Sequence, residues 1–467
     1  MTQLETIEIP AEGPVLAIEA ESPAERRARM MVEGPILATL AKLSVPNLIS
    51  LCSATVVSIA ETTYVGRLGL ASLGGIALAF PIFMLMQMLS AGALGGTVSG
   101  AVSRAFGAHD KARAESVAVS ALAIGLAFGL AFATLILLLG SPMFRLMGGQ
   151  GDILHEAVAF SSMAALAVIP IWATNMLASA ARGSGNMVVP AYTLLLAGLV
   201  QVGVGGALVL GLGPFPRLGI MGVALGQVVA FTGSALFLAA YLRSARSRLR
   251  MTFDFRKVSI AQIGAIMRIG GIAMLSPLLS VAAVLTLTTI VARYGDAALA
   301  GYGVAVRLEF LLIPIAFSVG VACVPLVGTA IGRGDVTRAR AVAWTAGSLA
   351  AGVLAIVGGL LSLYPGLWVA IFTSDPAITF AAETYFRIAG FGFPFFGLGL
   401  CLYFAAQGAG RVGGPIFAQG LRLLLVVVGG AYLAIFETPL WSVFAISTAA
   451  MITMGIGTAV FVKRARW

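Results

Sequence analysis

Two carboxylates in this sequence lie where a charge is costly, and they are the first candidates for chemistry. Glu61 lies inside the long apolar run Leu43–Gly69, and Glu309 lies inside an apolar run of the second half, whereas the other acids fall in the N-terminal tail, in connections or at run ends. A charged side chain at the centre of a bilayer costs at least ~2.5–3.5 kcal/mol, so it is a functional-site hypothesis by default. Apolar surroundings disfavour the charged form of a carboxyl, so such a group can take up and release a proton, or attract a cation when charged. We interpret Glu61 and Glu309 as cation-coupling residues.

The alternative is that an arginine neutralises each carboxylate permanently and only holds helices together. Arg307 and Arg293 are the candidates for Glu309, but Arg307 is two residues away, and side chains at i and i+2 of a helix do not face each other. Glu61 has no basic residue within one helical turn. The spacing therefore favours a functional role for both acids.

Amide and hydroxyl side chains in the apolar runs of the first half extend this candidate site. Each can simply hydrogen-bond a neighbouring helix, but their concentration in the half that holds Glu61 favours a polar cavity. The members are Asn47, Thr62, Gln87, Asn175, Gln201 and Gln227. Aromatic side chains can stack on flat or cationic compounds, although an aromatic stripe often only packs against helices or lipid. The substrate-contact candidates are Tyr64, Phe80, Phe83, Tyr302, Phe391 and Phe395.

The composition is that of a membrane protein. The chain is 59% hydrophobic and 10% charged, against about 25% charged in soluble domains. The net charge of +10 comes without a basic stripe with interleaved aromatics, so we predict no nucleic-acid binding and attribute the basic residues to cytoplasmic loops. The three cysteines and two histidines lack metal-ligand spacing. We therefore predict no metal and no cofactor apart from a coupling ion, H⁺ or Na⁺.

Twelve apolar runs are long enough to cross a bilayer as helices of about 20 residues, and they are too long and uniform for barrel strands. They lie at 36–65, 71–101, 116–140, 154–181, 190–212, 219–242, 263–292, 298–330, 342–372, 380–406, 415–436 and 440–462. We predict an all-α polytopic membrane protein with twelve transmembrane helices in two pseudo-symmetric six-helix lobes. The predicted organisation is a mobile cytoplasmic tail (1–35), an N-lobe (36–242), a basic cytoplasmic linker (243–262), a C-lobe (263–462) and a second cytoplasmic tail (463–467).

The distribution of Lys and Arg predicts the orientation. With both termini in the cytoplasm, 23 of the 29 Lys and Arg residues fall on the cytoplasmic side, Arg411 and Arg422 among them. Such an excess is the usual sign of cytoplasmic loops. We predict a multi-pass protein of the inner (plasma) membrane with both termini cytoplasmic.

Three short motifs recur in the two halves. The pairs are Val65-Gly-Arg-Leu-Gly with Val291-Ala-Arg-Tyr-Gly, Gly107-Ala-His-Asp-Lys-Ala-Arg with Gly332-Arg-Gly-Asp-Val-Thr-Arg, and Ala180-Ala-Arg-Gly-Ser-Gly with Ala405-Ala-Gln-Gly-Ala-Gly. Six spans per half bring both copies into the membrane from the same side. This predicts a parallel repeat about an axis along the membrane normal, with the substrate site between the halves.

These motifs make the sequence similar to the multidrug and toxic compound extrusion (MATE) family over essentially all of residues 36–462. The stretches that carry the resemblance are Glu61-Thr-Thr-Tyr-Val-Gly-Arg-Leu-Gly with the following Ala-Phe-Pro81, Ala-Phe-Gly107-Ala-His-Asp-Lys-Ala-Arg, and Ala-Arg-Tyr-Gly-Asp-Ala-Ala-Leu-Ala-Gly-Tyr-Gly303. The resemblance implies efflux of organic, often cationic, compounds in exchange for H⁺ or Na⁺. It also implies rocking of two six-helix lobes about an outward-opening cleft.

The sequence departs from the family pattern at the acids. The family typically has Asp in the first span where this chain has Glu61, and its fifth span often carries Asn-x-x-x-Asp where this chain has Gln201 and Gly205. The acids of the seventh and tenth spans of some members have no match here. Because a ready-made Na⁺ cage is missing, we favour H⁺ as the coupling ion.

Two other functions stay open from the sequence. A lipid-linked-oligosaccharide flippase of the related superfamily would need basic groups for an anionic pyrophosphate, and Arg307, Arg293 and Arg387 are the candidates; the two buried acids argue against it. A membrane enzyme or passive channel is disfavoured because no nucleophile–base constellation is present. We predict a transporter that is not an enzyme, a monomer whose partners are small organic substrates and the lipid bilayer.

Overall fold

The computed structural model describes residues 23–436, 438–465 and 467, and within these ranges its regular structure is helical. Residues 1–22 of the expected tail, Glu437 and Arg466 lie outside the described residues. The helices of the first half are α1 (Pro23–Glu33), α2 (Ile36–Gly66), α3 (Leu70–Gln87), α4 (Gly95–Gly107), α5 (Lys111–Leu146), α6 (Gly151–Gly183), α7 (Val188–Leu210) and α8 (Ile220–Arg243). Those of the second half are α9 (Ile260–Ala273), α10 (Leu275–Ala292), α11 (Asp296–Gly332), α12 (Val336–Leu363), α13 (Gly366–Val369), α14 (Pro376–Ala389), α15 (Phe393–Ala409), α16 (Gly413–Ile435) and α17 (Leu440–Arg464).

The prediction of twelve spans is confirmed, with one span broken. In the described part of the chain, eleven helices are long and apolar enough to cross a membrane, and α14 with α15 forms a twelfth that bends by 58°. Two of the eleven are composite: α3 continues through a π-helical segment, Met88–Leu94, into α4, and α9 continues into α10 past Met274. The bend between α14 and α15 follows from the sequence, because Gly390 and Gly392 precede Pro394 and a proline ring is accommodated best in the first turn of a helix.

The turns confirm the repeat read from the motifs. His109 and Gly334 occupy the same place in the second motif pair, and both adopt positive φ, 60° and 80°. The next residue in each copy caps the following helix: Asp110 accepts a hydrogen bond from the Arg113 N–H, and Asp335 accepts one from the Arg338 N–H, both at 2.8 Å. A short carboxylate at this position satisfies a free backbone N–H at the start of a helix.

The helices form two lobes, and the core of the C-lobe extends to Leu40 and Leu43 of α2. In the N-lobe α5, α6, α7 and α8 pack together, and in the C-lobe α11, α12 and α15 pack together beside α16 and α17. The lobes meet where α11 packs against α2 and α4. The linker between α8 and α9 is fixed to the N-lobe: Lys257 forms an ion pair with Glu115 at 2.8 Å, and Met251 is buried. We call the end of the molecule that holds this linker the linker end.

The first helix differs from the mobile tail expected over residues 1–35. Residues 23–33 form α1, and Met31 is only 2% exposed. Its sulfur packs against Gly185 in the α6–α7 turn, where a side chain would collide with it. The α1–α2 turn is held by the C-lobe, because Arg338 Nη2 donates to the Gly34 carbonyl at 2.7 Å. Helix α1 therefore bridges the two lobes at the linker end.

Candidate functional site

Glu61 and Gln201 form the polar centre of the N-lobe. Gln201 Nε2 donates to Glu61 Oε1 at 2.6 Å, and Glu61 is half-buried. The two residues are 140 positions apart, and the packing of α2 against α7 brings them together. Glu61 lies about 8 Å from the last residue of α2, at 1.5 Å per residue. It therefore lies in the half of the helix away from the linker end.

Tyr64 lies one turn from Glu61 and packs against the same helix, α7. Its side chain is 8% exposed, and its hydroxyl has no hydrogen-bond partner among the described residues. A Cβ atom at Gly205 would lie 3.2 Å from this hydroxyl. The absence of a side chain at Gly205 therefore makes room for Tyr64 next to the Glu61–Gln201 pair.

A second polar cluster lies at the π-helical segment. Asn175 Nδ2 donates to Gln87 Oε1 at 2.7 Å and to Ser90 Oγ at 2.8 Å. Such π-helical segments are rare and often found at functional sites. This cluster contains two of the predicted polar residues, Gln87 and Asn175. Neither of them forms a hydrogen bond with Glu61.

The other three polar candidates lie apart. Asn47 donates to the Leu43 carbonyl at 3.3 Å and approaches the Met187 sulfur at 3.6 Å. Thr62 is exposed and donates back to the carbonyl of its own helix. Gln227 has a buried side-chain oxygen without a partner among the described residues. The predicted single cavity is thus divided into a Glu61–Gln201 pair, a Gln87–Ser90–Asn175 cluster and three separate residues.

Glu309 is the polar centre of the C-lobe. The Tyr385 hydroxyl donates a hydrogen bond to Glu309 Oε1. Tyr302 and Arg422 line a small cavity with Glu309, of about 10 Å³, which is roughly the space that one water molecule needs. Glu309 lies about 20 Å from the start of α11. The site is therefore enclosed within the lobe.

The sequence-based placement of Arg422 in the cytoplasm is wrong. Arg422 is the tenth residue of α16, about 14 Å along the helix, and its guanidinium lies 5.6 Å from the centre of the Phe396 ring. The prediction failed because Arg422 was counted with the cytoplasmic residues although it lies inside the predicted span 415–436, which agrees with α16. Arg307, the arginine considered as an alternative permanent partner of Glu309, lies over the ring of Phe372 at 5.3 Å.

Of the aromatic candidates, Tyr64 and Tyr302 lie beside the carboxylates. Tyr302 makes an edge contact with Tyr385, with ring centres 5.6 Å apart. The remaining candidates lie elsewhere. Phe83 packs on Phe160, Phe395 lies against Gly455, and Phe80 and Phe391 are exposed.

The lobes are closed against each other at the linker end. Gln407 of the C-lobe donates from Nε2 to the Ala93 carbonyl of the π-helical segment at 3.2 Å. Arg104 of the N-lobe donates from Nη1 to the Gly408 carbonyl at 2.6 Å. These contacts join the π-helical segment of the N-lobe directly to α15 of the C-lobe.

Four residues of these sites were missed in the sequence: Tyr385, Arg422, Gln407 and Arg104. Arg422 carried a signal, since it lies seven residues inside the predicted span 415–436. Gln407 could also have been recognised, because it is the polar residue of the repeated motif Ala405-Ala-Gln-Gly-Ala-Gly. Nothing in the sequence pointed to Tyr385, since its role depends on the packing of α14 against α11.

The comparisons with known proteins agree with this architecture. The family model described as MatE matches residues 46–205 and 273–433. A FAD transporter of Shewanella oneidensis is 23% identical over 315 residues, which cover 66% of this chain and 68% of that protein. Two probable multidrug resistance proteins are also similar: NorM of Caulobacter vibrioides is 31% identical over 52% of each chain, and YoeA of Bacillus subtilis is 26% identical over 43% of this chain and 44% of its own. The matched part thus spans about half or less of the latter two.

Solved structures share the whole fold. A MOP superfamily transporter from Pyrococcus furiosus superposes with a TM-score of 0.84 at 22% identity, covering 93% of this chain and 96% of that one. A multidrug resistance MATE family transporter in an outward-facing conformation gives 0.84 at 23% identity with the same coverage. The family model matches well over half of the chain, so this protein belongs to the MATE family of multi-pass membrane transporters and is not an enzyme.

Proposed function

We propose that this protein is a proton-coupled antiporter that exports organic compounds by alternating access. The observation that carries the proposal is the hydrogen bond between Gln201 and Glu61, which places one half-buried carboxylate beside an amide. A carboxylate accepts hydrogen bonds, whereas a carboxylic acid also donates one, and an amide can meet both because it has an acceptor oxygen and a donor nitrogen. Rotation of the Gln201 amide therefore serves either protonation state of Glu61.

The same geometry argues for H⁺ over Na⁺. Hard metal ions are held by several oxygen ligands, and no group of three Asp, Glu, His or Cys side chains with metal-binding geometry occurs among the described residues. Gly205 offers no side-chain ligand, and the space beside it is taken by the Tyr64 hydroxyl. A proton needs only the carboxylate itself.

Alternation requires that the two lobes separate at one end while they close at the other. Closure at the linker end, through Arg104 and Gln407, supports assignment of this state as closed toward the cytoplasm. We place both termini and the linker in the cytoplasm and the protein in the inner membrane, as a monomer. Protonation of Glu61 from the opposite side then favours release of the substrate, because a ligand shifts a two-state equilibrium by its differential affinity for the two states.

Glu309 is the second coupling residue in this proposal. Tyr385 donates a hydrogen bond to its carboxylate, and Arg422 shares its cavity. A positively charged side chain therefore lies beside Glu309. Among the described residues the partner of Glu61 is the neutral amide of Gln201, and no ion pair with Lys or Arg is present there. We therefore expect Glu61 to be the residue that responds first to a proton gradient.

The substrate class is an organic, cationic or amphipathic compound, by analogy with the multidrug resistance proteins among the relatives. The FAD transporter adds an anionic flavin nucleotide to the compounds that should be tried. Purified protein in liposomes, tested with a cationic dye and with FAD under an imposed pH gradient, separates these classes. Transport of neither compound, with a folded protein, would contradict the substrate class.

The decisive variant is Glu61→Gln, which keeps the shape and removes the titrating group. We expect it to abolish transport driven by the pH gradient. Glu383→Gln is the matched control, since it removes a carboxylate that is paired with Arg387 at the surface. Transport by Glu61→Gln at the rate of the parent would refute the proposal.

A further inference from the structure

A cavity of about 320 Å³ opens at the linker end of the C-lobe, between the start of α16 and the end of α17. It is separate from the sites of Glu61 and Glu309. Arg411, Arg464 and Trp467 line it, and none of its described lining residues is acidic. The cavity is therefore a positively charged pocket that the transport proposal does not use.

The two arginines are free to bind a ligand. Their side chains are exposed, and neither makes a hydrogen bond or an ion pair with another described side chain or carbonyl. The segment beside them is held in place, because Arg340 Nη2 donates to the Ala465 carbonyl at 3.1 Å. Guanidinium groups bind phosphate oxygens through paired hydrogen bonds. The charge and chemistry of the cavity fit a phosphate group.

The side of the cavity that faces the membrane is aromatic. Phe461 lines the cavity, and its ring centre lies 5.8 Å from that of Phe417, which is 58% exposed. Exposed apolar side chains on transmembrane helices face lipid chains, and tryptophan is enriched where such helices leave the bilayer. Trp467 is placed in this way next to the arginines. A ligand in this cavity can therefore contact the two arginines and the apolar rings of Phe461 and Phe417 at the same time.

We propose that this cavity binds an anionic glycerophospholipid. Arg411 and Arg464 hold the phosphate, and an acyl chain lies along Phe417 and Phe461. Basic pockets between transmembrane helices at the cytoplasmic surface are suited to anionic headgroups. A soluble phosphate compound shares the headgroup chemistry but has no chain for the aromatic pair.

The test compares lipid binding by the full-length protein in detergent, with native mass spectrometry as the readout. Phosphatidylglycerol should be retained in preference to phosphatidylcholine. The double variant Arg411→Gln/Arg464→Gln should weaken phosphatidylglycerol binding by about thirtyfold. The matched control is Lys111→Gln/Arg333→Gln, which removes two exposed charges of the same end outside the cavity. Equal losses in both double variants would show general surface charge and overturn the proposal.

A cavity-filling variant keeps every charge. Gly413 lines the cavity, and a Cβ atom there would meet no atom within 4 Å, so Gly413→Leu should extend into the space and displace the lipid. Its thermal midpoint in phosphatidylcholine, compared with that of the parent, reports whether it folds. Unchanged phosphatidylglycerol binding by folded Gly413→Leu would overturn the proposal. So would binding of glycerol 3-phosphate as tightly as the lipid, since the ligand would then be a soluble phosphate compound.

Discussion

The hydroxyl of Tyr385, on α14, forms a hydrogen bond with the carboxylate of Glu309, on α11. Its ring is buried against Tyr302 and Phe444, and its hydroxyl donates to Glu309. A hydrogen bond to a charged group contributes roughly 1.5–3 kcal/mol. We therefore expect the Tyr385 hydroxyl to hold the Glu309 carboxylate in one position. The packing of the Tyr385 ring does not depend on that hydrogen bond.

Replacement of Tyr385 by Phe should lower transport by about tenfold, because 1.4 kcal/mol corresponds to a factor of ten and the lost bond is worth at least that. The ring packing is kept, so the protein should remain folded. Rates of dye efflux from proteoliposomes measure the effect. Tyr294→Phe is the control, since it removes a hydroxyl that contacts Thr438 away from both carboxylates. Equal efflux by the parent and Tyr385→Phe would show that the hydroxyl has no role in transport.

Gly205 and Tyr64 should be energetically coupled. Ala is a better helix former than Gly by up to about 1 kcal/mol, but at position 205 the added Cβ lies 3.2 Å from the Tyr64 hydroxyl. The substitution Gly205→Ala should therefore stabilise the protein in a Tyr64→Phe background and stabilise it less, or destabilise it, in the parent. A double-mutant cycle of thermal midpoints measures the coupling.

Gly203→Ala is the reference for that cycle, because nothing lies within 4 Å of a Cβ there. It should raise the midpoint equally in both backgrounds. Additive effects of Gly205→Ala and Tyr64→Phe would mean that the hydroxyl moves aside without cost, and that Gly205 is not required for Tyr64 to fit.

For single residues, the sequence identified the two carboxylates within apolar runs but not what each one contacts. Glu61 and Glu309 were identifiable because a carboxylate in an apolar run is costly. Gln201 was identifiable as a polar residue of a span, yet its bond to Glu61 depends on the register of α7 against α2. Arg422 was misplaced although its position inside the span 415–436 was available, because the count of basic residues by side gave it to the cytoplasm.

The contact between α4 and α11 is made by glycine and serine residues, at the place where the two lobes meet. Gly328 packs against Ser103, and Gly107 and Gly332 lie where α4 and α11 end. Small residues allow helix backbones in a membrane to approach closely. The two helices can therefore form a tight contact in one state and separate in the other without unfolding.

A disulfide between α4 and α11 should lock the linker end closed. A Cβ atom at Gly328 would lie 3.1 Å from that of Ser103, a few tenths of an ångström below the usual separation in a disulfide of about 3.5–4.5 Å. In a background with the exposed Cys52 replaced by Ser, oxidised Ser103→Cys/Gly328→Cys should lose transport and regain it on reduction. Transport rates before and after dithiothreitol provide the measurement.

The control is a disulfide within one lobe. A Cβ atom at Gly457 would lie 3.0 Å from that of Ala418, and both residues belong to the C-lobe. Oxidised Gly457→Cys/Ala418→Cys should transport at its reduced rate. If the inter-lobe disulfide forms and transport continues, α4 and α11 do not separate during the cycle.

The elements were largely predictable, and the exceptions have physical causes. The spans follow from length and apolarity, so their number and order were accessible from the sequence. The bend between α14 and α15 and the π-helical segment Met88–Leu94 arise from local backbone geometry within uniformly apolar runs, which hydropathy does not report. Helix α1 escaped prediction because Met31 is buried by packing against Gly185, a contact between distant parts of the chain.

At the scale of the whole molecule, the two lobes are related in fold but not in charge. The N-lobe has one carboxylate with an amide partner, whereas the C-lobe has one carboxylate that shares a cavity with an arginine. The two halves therefore share the conformation of their equivalent turns. They differ in the surroundings of Glu61 and Glu309, where a coupling ion would bind. This asymmetry predicts that one lobe dominates the coupling.

The coupling ion can be tested by exchanging gradients across the membrane. Among the described residues no further carboxylate joins Glu61, and Gly205 supplies no side-chain ligand. An imposed pH gradient should therefore drive substrate movement in proteoliposomes, and an equal Na⁺ gradient at uniform pH should not. If the protein is proton-coupled as proposed, the pH-driven rate should be unchanged when Na⁺ is replaced by K⁺ on both sides. Glu61→Gln should remove the response to the pH gradient, while Glu309→Gln should only weaken it, because Glu309 shares its cavity with Arg422 whereas Glu61 is bonded to a neutral amide. Transport driven by Na⁺ alone would instead require oxygen ligands from the backbone or from water around Glu61, and the asymmetry between the lobes would then have to be explained by something other than proton coupling.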